Sequence, residues 1–148
     1  AYWAGSGKKQ RNCETASSPK ESVMECIHAP KACASVGPYS HCVKAGSTYY
    51  LCGQVPFHPV TGEVVGNGMK EQAVQTLANM KAVLEAAGLA VTDIAKTTVF
   101  VTNMDDFAAF NEVYAAFMGE HRPARVCVEV SNIAHGCLLE MDAICFKE

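Results

Sequence analysis

Hydrophobic residues cluster along the chain in patterns that change from one segment to the next. Three short apolar runs near the start of the patterned region are typical of strands. The second and third runs flank Gly46-Ser47, a pair typical of a tight turn between antiparallel strands. The sequence therefore predicts strands over residues 23–29, 41–46 and 48–55, the last two joined as a hairpin.

Two later segments show the three- and four-residue spacing of amphipathic helices. The first predicted helix covers residues 69–87 and ends at Gly88, a residue that commonly terminates helices. The second covers about residues 105–119 and begins with two acidic residues, which the helix dipole favours. The predicted apolar faces are Ala73, Leu77, Met80, Leu84 and Ala87 in the first helix, and Phe107, Phe110, Tyr114 and Phe117 in the second.

Three further apolar runs complete the pattern. Residues 94–102 are rich in β-branched side chains and predict a central strand. Residues 125–130 and 138–146 predict two more strands, joined by the short segment SNIAHGC. The resulting order is β-β-β-α-β-α-β-β. This order predicts an α+β fold in which two helices cover one face of a mixed sheet.

Residues 1–22 differ from the rest of the chain. They are polar, rich in Ser, Lys and Gly, and lack any periodicity. We interpret them as an N-terminal extension or a tag remnant. The remaining residues, 23–148, are enough for one domain, since two full cores would be crowded in a chain of 148 residues.

Charge and cysteine content narrow the class of protein. A net charge of -3 argues against non-specific binding to the nucleic-acid backbone, which needs a concentrated positive face. No apolar run approaches the roughly 20 residues that cross a bilayer. The eight cysteines show no C-x-x-C spacing and several lie in apolar runs, so we expect mostly free thiols in a reducing compartment. That compartment is the cytosol, or the mitochondrial matrix if a transit segment precedes the chain.

The familiar nucleotide and metal motifs are missing. The sequence contains no P-loop, no dinucleotide fingerprint and no H-E-x-x-H or comparable cluster of metal ligands. Its five histidines are scattered, and each is more typical of a structural residue than of a catalytic one. The sequence therefore predicts neither a metal nor a nucleotide cofactor.

The last two strands carry the most suggestive polar residues. Arg125, Cys127 and Glu129 share one face of their strand, and Glu140 and Asp142 share a face of the next. If these two strands pair antiparallel, Arg125 lies opposite Glu140. Two interpretations stay open at this point: an ion pair that only stabilises the sheet, or an arginine that binds a carboxylate next to a glutamate that activates water.

Six segments, taken together, resemble the RidA family, which is also called YjgF or endoribonuclease L-PSP. They occur in the family's order, close to its spacing, and span about residues 23–147. No single segment would be specific, but six collinear ones are. The segments are VGPYS (36–40), GQVPFHPVTGEV (53–64), NMKAVLEAAG (79–88), KTTVFVTNMDDFAAFNEVYAAF (96–117), RPARVCVEV (122–130) and LLEMDAI (138–144).

The resemblance implies a chorismate-mutase-like α+β fold that assembles as a homotrimeric barrel with clefts between subunits. It also implies an activity, the hydrolysis of reactive 2-imino acids such as 2-iminobutanoate and 2-iminopropanoate, with their enamine tautomers, to 2-keto acids and ammonia. No metal or organic cofactor is implied, and neither a membrane nor a nucleic acid is an expected partner.

The family's functional residues map onto matching positions of this chain. Arg125 of the P-A-R motif would bind the substrate carboxylate, and Glu140 would hold or polarise the attacking water. Tyr39 would line the pocket, although it could instead plug the core. Asn111 would support the pocket, although it could instead face solvent. Gly53 and Cys127 complete the expected binding site.

One position departs from the family. Cys52 stands where the family usually carries a serine, so a weakly hydrogen-bonding thiol replaces a hydroxyl. We expect Cys52 to line the pocket rather than to act as a nucleophile, because the local sequence supplies no base beside it. The substitution keeps open a non-catalytic trimer that binds small molecules or regulates. A ribonuclease or translation inhibitor, as the older family name suggests, is a third reading.

Overall fold

The computed structural model describes residues 24–148, so the predicted extension at residues 1–22 lies outside the described residues. The described chain has six strands and two α-helices, in the predicted order. A single 3₁₀ turn precedes β4, α2 and β6 in each case. The elements are β1 (Glu25–Ile27), β2 (Cys42–Ala45), β3 (Thr48–Gln54), α1 (Met69–Ala86), β4 (Ile94–Val101), α2 (Phe107–Met118), β5 (Ala124–Glu129) and β6 (Leu139–Phe146).

All six strands form one mixed sheet in the order β1-β2-β3-β6-β4-β5. The predicted hairpin is confirmed, because β2 and β3 pair antiparallel with Ala45 opposite Thr48 across the turn. Strand β6 lies between β3 and β4 and runs antiparallel to both. Strand β5 lies at the edge, parallel to β4.

The last two strands do not pair with each other, so the condition for placing Arg125 opposite Glu140 is not met. Strand β4 separates β5 from β6, and in this register Thr97 of β4 lies between Arg125 and Ala143. The reason is the helix that connects β4 to β5, because a strand–helix–strand crossover brings its two strands together in parallel. Arg125 and Glu140 therefore do not face each other across a hairpin.

Both helices cover one face of the sheet, as predicted. In β4, Thr97, Val99 and Val101 point to this face and are fully buried. The buried part of the α1 face packs there, and so does the aromatic stripe of α2. Burial of these side chains is the main stabilising contribution to the fold. The α+β class with its helices on one face is confirmed.

The opposite face of the sheet is not covered by the helices and carries exposed apolar side chains beside Glu140 and Asp142. Tyr50, Val126, Val128 and Phe146 are 48%, 44%, 40% and 53% exposed, and all point away from the helices. A sheet face that exposes several large apolar side chains is a candidate interaction site. We call these four residues the open apolar face.

The described residues carry seven cysteines, and all seven are free thiols. Within residues 24–148, neither helix combines the length and apolar character of a membrane span. The same part of the chain gathers no group of three His, Cys, Asp or Glu side chains suited to a metal ion.

Candidate functional site

Arg125 lies on the helix side of the edge strand β5, half-buried against α2. Its Nη1 donates a hydrogen bond to Oδ1 of Asn111, at 2.8 Å. Its guanidinium also lies over two aromatic rings of α2, 4.7 Å from the ring centre of Tyr114 and 5.4 Å from that of Phe107. Such cation–π contacts fix the plane of the guanidinium as well as its position.

Within residues 24–148, no carboxylate forms an ion pair with Arg125. The ion pairs formed within residues 24–148 join other residues, Lys70 with Glu112 and Lys147 with Asp93. Arg125 thus offers a pre-oriented, uncompensated fork of N–H groups, which suits a planar carboxylate. Asn111 is half-buried and hydrogen-bonded rather than free in solvent, so its predicted supporting role fits this geometry.

Cys127 lies two residues along the same strand and on the same side of the sheet. Burial raises the pKa of its thiol, and the positive charge of Arg125 partly offsets that rise. The side chain packs against the main core, so it forms a wall rather than a reactive group. We call Arg125, Asn111, Cys127 and the two rings of α2 the arginine half-site.

Glu140 lies on β6, on the open side of the sheet, between buried Leu139 and Met141. Its carboxylate rests directly against Gly53, so closely that a Cβ at that position would collide with Oε1. Any larger residue at this position would displace the Glu140 carboxylate, so the glycine permits the close approach. Burial raises the pKa of Glu140, and the nearby negative charge of Asp142 raises it further.

Cys52, beside Gly53, lies where the register between β3 and β6 is interrupted by a bulge. The Nε2 group of Gln54 donates to its sulfur at 3.1 Å. Burial is the main cause that raises the pKa of Cys52, and the negative charge of Glu140 adds to the rise. The thiol is therefore kept neutral, which fits the predicted pocket-lining role and disfavours a nucleophile.

A small cavity of about 30 Å³ opens next to Cys52 and Gly53. That volume holds about one or two water molecules and no organic substrate. Tyr39 lines the cavity and is 49% exposed, so it does not plug the core. We call Glu140, Gly53, Cys52 and Tyr39 the glutamate half-site.

The structure thus sorts the predicted site residues into two groups on opposite faces of one sheet. Arg125 pairs with Thr97, whose side chain points to the helices. Glu140 of β6 pairs with Phe100 of β4, and both side chains point to the face opposite the helices. A single chain does not bring the guanidinium and the carboxylate together.

Several residues that shape the site were not singled out by sequence reasoning. Phe107 and Tyr114 were assigned to the helix core stripe, and the structure adds a second role for them under Arg125. The amide of Asn79, buried in α1, donates to the carbonyls of Val55 and Phe57 and so holds the segment after β3. Gln72 and Thr76 are buried on α1 as well, so the predicted apolar face carried no specific signal for Asn79.

Each half-site can do half of one reaction. An uncompensated arginine binds a carboxylate. A carboxylate whose pKa is raised holds a water molecule and accepts a proton from it more readily than an ordinary carboxylate does. Joined in one cleft, the two would anchor a small carboxylic acid and deliver water to its neighbouring carbon.

Known proteins resemble this chain over almost all of its described length. A sequence profile of the endoribonuclease L-PSP family matches residues 27–147. A RutC family protein from Pyrococcus horikoshii is 48% identical over 126 residues, which are 85% of this chain and 100% of that protein. The 2-iminobutanoate/2-iminopropanoate deaminase of Escherichia coli K12 is 45% identical over 128 residues, which are 84% of this chain and 99% of the deaminase.

Solved structures agree with the fold. The crystal structure of E. coli TdcF with bound serine superimposes with a TM-score of 0.79 and is 41% identical in sequence. The superposition covers 84% of this chain and 99% of TdcF.

Proposed function

The chain belongs to the endoribonuclease L-PSP family, also called RidA or YjgF, and on that premise we propose that it hydrolyses 2-imino acids and their enamine tautomers to 2-keto acids and ammonia. The observation that carries the proposal is Arg125, a guanidinium held by Asn111 and two rings with no protein carboxylate to neutralise it within residues 24–148. The deaminase named in E. coli and the serine bound to TdcF support a small carboxylate-bearing ligand.

We propose that the active unit is a homotrimer in which neighbouring subunits share each site. The two half-sites lie on opposite faces of one sheet, so a second copy must bring the missing half. The open apolar face gives the chain a reason to associate, because four large exposed apolar side chains are removed from water when it is covered. Joining two different surfaces of identical copies closes into a ring when the rotation allows it.

In the shared cleft, Arg125 binds the substrate carboxylate through two parallel N–H···O bonds. The carbon beside that carboxylate carries a protonated imine, which is already electrophilic. The arginine therefore fixes the position of the reacting carbon and leaves the activation of water to the other half-site. Holding the water within about 3–3.5 Å of that carbon accounts for much of the rate gain available to such a site.

Glu140 accepts a proton from the attacking water as the new C–O bond forms. The resulting carbinolamine takes that proton on its nitrogen, which turns the amine into a leaving group. The C–N bond then breaks with its electron pair remaining on nitrogen, so ammonia departs, and the hydroxyl proton passes to the Glu140 carboxylate as the carbonyl forms. Burial and the charge of Asp142 raise the pKa of Glu140, which makes its carboxylate a stronger base for both transfers.

The test is ammonia release from freshly generated 2-iminobutanoate, measured beside the binding of 2-ketobutanoate by calorimetry. We expect turnover that saturates with substrate and competitive inhibition by the product. Binding of 2-ketobutanoate without acceleration of ammonia release would favour a non-catalytic binding trimer. RNA cleavage that persists when both Arg125 and Glu140 are replaced would point to a contaminant or to another site.

A further inference from the structure

His41 immediately precedes β2 and is the last residue of the segment that links β1 to β2. Its side chain is 2% exposed, and both ring nitrogens are used. Nδ1 accepts a hydrogen bond from the backbone N–H of Ala29, at 3.1 Å. Nε2 lies 2.9 Å from the carbonyl oxygen of Cys33 and 3.3 Å from the hydroxyl of Ser35.

These partners fix the protonation of the ring. A backbone N–H can only donate, so Nδ1 must be the unprotonated, accepting nitrogen. A carbonyl can only accept, so Nε2 must carry the proton. The hydrogen-bond network therefore assigns the neutral Nε2–H tautomer to His41.

The same residue holds two walls of the cavity in the glutamate half-site. Its side chain is hydrogen-bonded to Ala29 and Cys33, in the first half of the segment 29–39 that ends at Tyr39. Its backbone carbonyl accepts the N–H of Cys52, at 3.0 Å, on the opposite wall. The ring of His41 itself lines the cavity.

We propose that His41 is a positioning residue of the glutamate half-site: its neutral imidazole holds residues 29–39 against β3, so that Tyr39 and Cys52 face the substrate, and protonation of the ring releases this segment. The inference deepens the proposed function and rests on it for the identity of the substrate. His41 touches no reacting atom, so its effect on catalysis passes through the wall that it holds.

The hydrogen bonds of His41 are those of a neutral ring. A protonated Nδ1 would point its N–H at the N–H of Ala29, which removes a hydrogen bond and sets two donors face to face. The imidazole of His28 lies against the ring, with 4.8 Å between centres. The other titratable groups around the cavity are the thiols of Cys33 and Cys52 and the phenol of Tyr39, and Glu140 lies beyond Gly53.

The decisive variant is His41→Gln, since an amide side chain offers one acceptor and one donor but does not titrate. His28→Gln is the matched control, because it removes the neighbouring imidazole and leaves the bonds of His41 in place. Initial rates of ammonia release are measured from about pH 8 to about pH 5, the range in which imidazoles change charge. KM and kcat are determined separately at each pH.

For the wild type and His28→Gln, we expect KM to rise about 10-fold toward pH 5, the loss that one hydrogen bond at the upper end of the ordinary range would give. For His41→Gln, KM should change less than about 2-fold over the same range. The fall in kcat with acid, which belongs to Glu140, should persist in all three proteins. A KM for His41→Gln that rises as steeply as in the wild type would overturn the proposal.

A second readout needs no turnover. Nitrogen-15 spectra of the imidazoles report the tautomer of His41, and hydrogen exchange reports the protection of the Ala29 amide. We expect the Nε2–H tautomer at pH 8, and a protection factor that falls at pH 5 in the wild type but not in His41→Gln. An Nδ1–H tautomer, or equal protection in both proteins, would refute the role of His41 even if no imino acid proves to be a substrate. Absence of turnover with these signatures intact would refute only the proposed function.

Discussion

Replacing Arg125 separates the charge of the site from its geometry. Arg125→Lys keeps a positive charge on β5 but loses the planar fork of N–H groups and its stacking on Tyr114 and Phe107. Arg125→Ala removes the charge as well. We expect both variants to fold, because Arg125 is only half-buried at the edge of the sheet and forms no ion pair within the described residues.

The magnitudes follow from the contacts that each variant loses. A hydrogen bond to a charged group contributes about 1.5–3 kcal/mol, so losing both bonds to a substrate carboxylate costs about 3–5 kcal/mol. That corresponds to a fall in kcat/KM of about 10²–10⁴-fold for Arg125→Ala. Arg125→Lys retains part of the attraction and should lose about 10–100-fold. The two cation–π contacts contribute about 0.5–1 kcal/mol each to folding, so stability should fall by less than about 2 kcal/mol.

The assay is ammonia release from 2-iminobutanoate formed in place by a threonine dehydratase, beside urea unfolding of each variant. Asn111→Asp is an informative companion, because its carboxylate would neutralise Arg125 and compete with the substrate. We expect it to raise KM strongly while the protein stays folded. Full activity in Arg125→Ala would refute the assignment of the carboxylate-binding residue. A loss of activity that tracks a loss of folded protein would show that Arg125 is only structural.

Three further predictions concern the glutamate half-site. Glu140→Gln should lower kcat at least about 100-fold. Because folding raises the pKa of Glu140, this group stabilises the fold below about pH 4.3, and that contribution is lost as pH rises through the folded pKa. The melting temperature of Glu140→Gln at neutral pH should therefore equal or exceed that of the wild type, and a clear drop would contradict this. Gly53→Ala should displace the Glu140 carboxylate and lower kcat about 10-fold or more, with little change in stability. Gly68→Ala is the control and should leave kcat unchanged, because a Cβ at Gly68 meets open space. Equal activity in both variants would contradict this prediction. Cys52 should react with iodoacetamide at neutral pH more slowly than exposed Cys26, because burial raises the pKa of the Cys52 thiol. Cys52→Ser should keep activity within about 3-fold of the wild type. Rapid alkylation of Cys52 or an inactive serine variant would argue for covalent chemistry.

The sequence predicted the elements well, because their signals are local. The spacing of apolar residues in α1 and the turn at Gly46-Ser47 depend on near neighbours only, and both predictions are confirmed. The alternation in β5 and β6 also assigned side chains to the correct faces of each strand. Alternation does not specify the partner of a strand, and the antiparallel pairing of β5 with β6 that would place Arg125 opposite Glu140 does not occur.

A signal for the correct pairing was present. A strand, a helix and a strand follow one another from β4 through α2 to β5, which is the pattern of a parallel crossover. Reading it would have moved β5 to the far side of β4 and separated Arg125 from Glu140. The support for Arg125 was harder to foresee, since Tyr114 and Phe107 look like core residues in any helical pattern. The hydrogen-bond network of His41 could not be predicted from the sequence, because it joins loop residues whose contacts depend on the fold.

The central claim is that the arginine half-site of one chain works with the glutamate half-site of another. The most direct measurement mixes two inactive variants, Arg125→Ala and Glu140→Gln, after joint unfolding and refolding. Random assembly of equal amounts gives intact halves at about one site in four, so about a quarter of the wild-type activity should return in the mixture. A mixture no more active than its two separate components would show that each site lies within a single chain, and would contradict the account.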